Sequence, residues 1–305
     1  ENWVALPKMT MGMSLMYSPF FLIGHGVANL TSYPADGYSL PYSYAIRIGT
    51  YCYVSIGLYL LYLSLLRFFK PWVSALSIFL VFAGTNLFYY SVGEGEMSHS
   101  YLFFLYSVII FFTLKWNDKK NKLSLFLISL AMGLCVLIRP TSIVFSLFPL
   151  IYSLSSLENR KWTKSNIPSL FISLLLFFVP IFIQMLFWKT YGSGWIRWSY
   201  RNEGFFFGNP HFLEFLFGYR NGWLLYTPIM ALALLAIISM PKKMNPIKWA
   251  TLLIIPSAIY LFSSWWCWWF GGSYGARPMI EFYALLIFPL AAGIHFVSQL
   301  KIAKY

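Results

Sequence analysis

Residues 123–157 read LSLFLISLAMGLCVLIRPTSIVFSLFPLIYSLSSL, and this stretch decides the fold. It is uncharged from end to end except for Arg139. Crossing the ~30 Å hydrocarbon core of a bilayer takes about 20 such residues. Basic connectors flank it on both sides, Lys115–Lys122 before it and Arg160–Lys164 after it. Connectors of that kind mark the cytoplasmic side of a membrane protein, so both ends lie on one side and a single crossing is excluded. Pro140 supplies the way back, because proline breaks a helix and pushes the residue before it out of the helical region. The run therefore splits into segments 123–138 and 141–155. They form a hairpin whose tip carries Arg139 to the outer face.

Working outward, further apolar runs lie at about 43–66, 72–92, 98–115, 166–188, 223–240, 249–266 and 279–299, and the connectors Arg67–Lys70, Lys242–Lys248 and Lys301–Lys304 fall between or after them. With the hairpin in place these runs alternate in direction, and the C-terminus is cytoplasmic. Composition agrees. The 305 residues are 59% hydrophobic and 10% charged, against about 25% charged in a soluble domain. Mean hydropathy is +0.65. Trp and Tyr gather at segment ends, as interfacial belts do.

The expectation is an all-α, polytopic transmembrane helix bundle with roughly nine or ten membrane-embedded helices. It forms one domain over 1–305, with interfacial outer helices and one broken helical hairpin. Segment 9–31 is apolar but holds Pro19, Gly24, His25 and Gly26, and it reads as an element lying along the outer interface. Residues 1–42 read as part of a first outer loop, with a first span expected upstream of Glu1. The long outer loop is 189–222.

The net charge of +13 is ordinary orientation charge, so nucleic acid is not an expected partner and membrane lipid is. Cys52, Cys135 and Cys267 show no metal-ligand spacing and read as inert thiols; no metal is expected.

The positive charges divide by type. The connectors are almost all lysine, with only Arg67 and Arg160 among them. The outer side instead holds Arg47, Arg139, Arg197, Arg201, Arg220 and Arg277, with Lys8 and Lys189. Most of the acids are also outside: Glu1, Asp36, Glu94, Glu96, Glu203, Glu214 and Glu281. Lysine suits a solvated orienting charge, whereas the arginine fork suits bidentate capture of phosphate or carboxylate. Arginines kept on the disfavoured side, next to hydrocarbon, are costly and mark function. These six arginines are therefore candidates for binding a phosphate or carboxylate group, beside the plainer readings of pairing with a neighbouring acid or lying in an interfacial element.

Candidate catalytic groups lie among the outer acids. Asp36 sits between Pro34 and Gly37; it reads either as a turn-forming residue or as a carboxylate held at the membrane surface. Glu94, Glu96 and His99 fall within six residues. They suit acid–base chemistry or cation binding, or else a helix start that favours acids through the helix dipole. Around Arg277 run Trp265, Trp266, Trp268 and Trp269, then Gly271, Gly272 and Gly275, a shaped loop delivering an arginine, with Glu281 as its expected partner.

The Ile138-Arg139-Pro140-Thr141 tip, the stretch from Gly218-Tyr219-Arg220-Asn221-Gly222-Trp223 to Tyr226-Thr227-Pro228, and Gly271-Gly272-Ser273-Tyr274-Gly275-Ala276-Arg277-Pro278 together resemble the GT-C superfamily. The closer resemblance is to glycosyltransferase family 39, the bacterial protein O-mannosyltransferase and aminoarabinose-transferase type. It implies a glycosyltransferase of the inner membrane that moves a sugar from a polyprenyl-phosphate donor to a glycan, lipid or protein acceptor outside. No cofactor beyond the donor is implied. The main catalytic acid is expected in the first outer loop, upstream of Glu1. The competing readings are a transporter or flippase of lipid-linked sugars, and a surface-polysaccharide polymerase or ligase.

Overall fold

The computed structural model describes residues 7–192, 194–197, 200 and 203–300. Among them every named element is helical, and the one strand-like contact is an isolated antiparallel bridge between Phe205 and Trp265. The all-α bundle stands.

Helices α1 (Gly12–Leu30) and α2 (Leu40–Leu65) form an antiparallel pair. Gly24 faces Pro41 and Tyr42, Phe20 faces Gly49, and the Met16 carbonyl accepts from the Tyr53 hydroxyl at 3.0 Å. The approach needs glycine: a Cβ on Gly49 would lie 2.6 Å from the Phe20 ring. Gly12 lies beside Ile138, at the hairpin tip. Thus α1 starts at that end of the bundle and runs alongside the first half of α2 rather than traversing it.

The run 72–92, expected as one span, is two helices, α3 (Pro71–Ala83) and α4 (Leu87–Val92). Gly84 ends α3, and the next residues turn to tertiary work. The buried Asn86 amide donates to the Tyr274 carbonyl at 2.9 Å and accepts from the Tyr283 hydroxyl at 2.8 Å. Helix α5 (Ser98–Lys119) is the most buried long span. At 1.5 Å per residue, its ends place His99 and Lys119 about 30 Å apart.

Helix α6 (Lys122–Ile138) returns to the arginine end. Arg139 leaves it in extended geometry, φ −145 and ψ 114. The second arm begins as a 3-10 helix, Pro140–Ser146, and only then becomes α7 (Leu147–Leu154). The regular helix expected directly after Pro140 is thus displaced by a tighter winding, which carries Phe145 into a stack with Tyr106, centroids 3.7 Å apart. Helix α8 (Leu157–Ser165) bends away by 103°. The return to the lysine end is fixed by Asn159, whose amide donates to the Asn117 side chain at 2.9 Å and to the Tyr152 carbonyl at 2.6 Å. The hairpin read from Pro140 is therefore present.

Helix α9 (Ile167–Tyr191) packs on α6 so closely that a Cβ on Gly133 would collide with the Phe177 carbonyl. Small residues permit such backbone approach between membrane helices. Gly133→Val should lower stability by at least ~1–3 kcal/mol, the usual cost of overpacking, read as a fall in Tm in detergent.

After α10 (Phe212–Phe217), the expected span 223–240 is broken into α11 (Trp223–Tyr226) and α12 (Pro228–Leu235), with a 3-10 turn Ala236–Ser239. Pro228 lacks the amide that a continuous helix needs, and Thr227 leaves helical geometry at φ −135, ψ 65. Helix α13 (Asn245–Ser263) then leads to α14 (Tyr283–Gln299). Residues 281–292 are all buried, so α14 forms the centre of the bundle, as a helix apolar on every side must.

Among the described residues, α2, α5, α9 and Lys242–Ser263 are long and apolar enough to cross a membrane, and the bent pair of α7 and α8 with the preceding turn makes a fifth. The segments 71–83, 122–138, 228–239 and 283–299 are shorter apolar helices. The interruptions that shorten them lie near the arginine end for α4, Arg139 and Thr227. At the other end the connectors are knitted by Arg67–Asp118 at 2.6 Å and Lys120–Glu158 at 3.6 Å.

Candidate active site

Arg139 is aimed by the end of its own helix. Its extended backbone sends the side chain across to the first turn of α5, where Nε donates to Ser98 Oγ at 3.1 Å and Nη2 donates to His99 Nε2 at 3.2 Å. A guanidinium has donors only, so Nε2 must be the acceptor. The ring proton therefore sits on Nδ1 and is donated to Glu281 Oε2 at 2.9 Å. Glu281 and His99 are both fully buried. The carboxylate fixes the imidazole tautomer, and the imidazole fixes the arginine. Arg139 still has donors to offer a cavity of about 270 Å³.

Arg277 enters the same cavity from the loop after α13. Phe270, Gly271 and Gly275 adopt positive φ of 56, 69 and 65, where glycine carries no steric penalty. Gly275 also presses on Tyr226, with 3.0 Å left for a Cβ. Tyr274 is pinned on both sides: its amide donates to the Tyr90 hydroxyl at 2.8 Å and its carbonyl accepts from Asn86. Arg277 lies against the Tyr90 hydroxyl, and its buried Nε has no partner among the described residues. Burial, and after it the like charge of Arg139, hold Arg277 below the ordinary arginine value. An anion between the two guanidinium groups would relieve that repulsion.

Asn86→Ala should free this loop and leave the buried Tyr283 hydroxyl without its acceptor. The expected cost is ~1–3 kcal/mol, with faster hydrogen exchange over residues 270–276 as the readout.

The remaining wall is aromatic. Residues 204–211 run antiparallel to 263–266, with Phe206 N to Ser264 O at 2.6 Å, Trp266 N to Gly204 O at 3.0 Å and His211 N to Ser263 O at 2.9 Å. This ladder brings Glu203 and Phe205 to the rim beside Phe262, Trp265 and Phe270. Lys8 Nζ meets Glu203 Oε1 at 2.6 Å and lies 5.0 Å above the Tyr200 ring.

The residues singled out from sequence fall in different places. His99, Arg139 and Arg277 converge. Asp36 is exposed and accepts from the Tyr38 and Ser39 amides at 2.9 and 3.0 Å, which hold its carboxyl below the usual value; this is turn geometry. Glu94 and Glu96 precede α5, are exposed, and do not line the cavity. Only the Glu96 carbonyl is engaged inward, by the Tyr17 hydroxyl. Arg47 is exposed on α2, and Arg197 is exposed in its loop. Arg220 stacks on Trp269 at 4.0 Å, and Asn221 donates to the Trp269 carbonyl at 2.9 Å. The Gly218–Trp223 stretch thus braces the loop that bears Arg277. Arg201 lies outside the described residues. One expectation is corrected: Glu281, expected beside Arg277, pairs with His99. Lys8 and Glu203 were not singled out as site residues, and 195 positions of separation leave no local pattern that would join them.

Residues 42–188 match a family model described as dolichyl-phosphate-mannose-protein mannosyltransferase. Over this part, just under half of its length, the chain is similar to that family, which belongs to the GT-C superfamily. It runs from α2 to α9 and includes His99 and Arg139. It supports a membrane glycosyltransferase of the GT-C type, in agreement with the helical architecture and the span-length helices. No curated protein and no solved structure matches the chain. Glu203, Arg277 and Glu281 lie beyond the matched span, so their roles rest on geometry alone.

Proposed function

We propose that the protein transfers a sugar from a polyprenyl-phosphate-linked donor to an acceptor on the extracytoplasmic side, with the donor phosphate held between Arg139 and Arg277. The observation that carries this reading is that two guanidinium groups, one with an Nε unpartnered among the described residues, line one cavity together with five aromatic rings and the Lys8–Glu203 pair. The acceptor attacks the anomeric carbon, the bond from that carbon to the phosphate oxygen breaks, and polyprenyl phosphate leaves. The donor phosphodiester carries one negative charge and the leaving phosphomonoester gains another. The arginines therefore stabilise the transition state more than the ground state. The aromatic wall offers faces to the sugar, and the apolar tail lies among the helices. Sidedness follows from the lysine connectors, which face the cytoplasm and leave the arginine end outside. The phosphate arrives on the donor, so no nucleotide and no cofactor is required.

The family description directs the first assay to a mannosyl donor with protein acceptors. Purified protein in lipid nanodiscs should release free polyprenyl phosphate from polyprenyl-phosphate mannose in step with glycosylated acceptor. Movement of the intact sugar lipid between leaflets, with no cleavage, would instead support a transporter.

A further inference from the structure

The lysine end of the bundle holds a second cavity, of about 510 Å³, lined by Arg67, Lys120 and Lys243 together with Asp118 and Glu158. Its walls come from the connector after α2, the end of α5, the turn between α7 and α8, and the connector before α13. Each wall is tied to another. Arg67 meets Asp118 at 2.6 Å and Lys120 meets Glu158 at 3.6 Å. Lys243 Nζ donates to the Phe68 carbonyl at 3.0 Å. Asn159 joins the end of α5 to the end of α7. The walls are therefore fixed relative to one another before any ligand arrives.

The charges are unevenly placed. The side chains of Lys120 and Arg67 are 15% and 27% exposed, whereas those of Glu158 and Asp118 are 80% and 54% exposed. The cations thus lie deeper and the carboxylates nearer the solvent. Lys243 has no carboxylate partner among the described residues, so the lining carries excess positive charge. An ammonium has three donors, and Phe68 takes one. Orienting charge alone needs no such arrangement, because a solvated lysine serves that purpose. We propose that this cavity binds a phosphate group on the cytoplasmic side, with Lys120, Lys243 and Arg67 as its donors. The lysine connectors put it at the level of the inner-leaflet headgroups, where basic pockets between membrane helices capture anionic lipids. The phosphate comes on a lipid such as phosphatidylglycerol or free from the cytoplasm, and the chemistry of capture is shared. The site is separate from the Arg139–Arg277 cavity, since the two sit at opposite ends of α5. It does not depend on the donor reading.

The test titrates the full chain in detergent with phosphatidylglycerol, phosphatidylcholine and inorganic phosphate, counting bound ligand by native mass spectrometry. The Lys120→Gln, Lys243→Gln pair should weaken phosphatidylglycerol or phosphate binding by at least ~tenfold, the order expected for two lysines at a charged surface. The Lys119→Gln, Lys242→Gln pair removes the same charge one residue away, outside the cavity; it should stay within about twofold of wild type. The Arg139→Ala, Arg277→Ala pair should keep this binding, which separates it from the donor site. Glu158→Gln removes an exposed carboxylate and should strengthen binding a fewfold, a gain that misfolding cannot mimic. Phosphatidylglycerol retained against excess phosphate assigns a lipid ligand, and displacement by phosphate assigns a soluble one. Equal loss in the two lysine pairs overturns the site and leaves only general attraction to a basic face. Wild type that binds neither phosphatidylglycerol in preference to phosphatidylcholine nor free phosphate also overturns it.

Discussion

Arg277→Ala should reduce sugar transfer by ~10²–10³-fold, the cost of removing one preorganised donor to a developing charge, while leaving the bundle folded. Arg277 is a cavity residue whose Nε lacks a partner among the described residues. Its loop is held independently by Asn86 and Tyr90. Removing the side chain therefore takes away the anion contact and little packing. Arg277→Lys keeps the charge but loses the fork, so an intermediate loss of about tenfold is expected. The readout is kcat for release of polyprenyl phosphate, with Tm as the folding control. Arg139→Ala should lose as much transfer and some stability besides, because Ser98 and His99 each lose a partner.

Glu281→Leu should carry the second large effect, and on both axes. His99 is buried and donates from Nδ1 to Glu281. Without that acceptor the N–H is left unsatisfied at a cost of ~1–3 kcal/mol. The proton is also no longer confined to Nδ1. On Nε2 it would face the Nη2 donor of Arg139, and the arginine would turn away. A drop in kcat of at least tenfold should accompany the fall in Tm, the order expected when a supporting contact is lost. Glu281→Gln separates the two roles. Its amide oxygen still accepts from Nδ1, so the tautomer and the aim of Arg139 should survive, with transfer within a fewfold of wild type. Equal loss in the Gln and Leu variants would show that the carboxylate charge matters, not the tautomer.

Much of this was legible where one residue type enforces one conformation. Pro140 cannot continue a helix, and the hairpin at Arg139 followed from it. The division of lysine from arginine anticipated the two ends of the bundle. The glycines at 271, 272 and 275 announced a shaped loop, and Gly271 and Gly275 take positive φ in it. What stayed hidden was whatever depends on which face a side chain takes. Glu94, Glu96 and His99 are neighbours in sequence, yet the two acids precede the helix and His99 enters its first turn facing inward. Glu281 follows Arg277 by one turn but points to a histidine 182 positions away. Asn86 and Pro228 broke spans that hydropathy read as continuous, Asn86 because its amide serves other elements and Pro228 because it lacks the amide a continuous helix needs. Glu203 was visible as one acid of an outer loop, and only the pairing of the residues after it with 263–266 brings it to the cavity.

The most direct measurement is the binding of polyprenyl phosphate against uncharged polyprenol, for wild type and for the Arg139→Ala, Arg277→Ala double variant in nanodiscs. Wild type should prefer the phosphate by at least ~100-fold, about 2.7 kcal/mol, and the double variant should lose that preference while binding polyprenol as before. An undiminished preference in the double variant, or none in wild type, would contradict a phosphate site built from these two arginines.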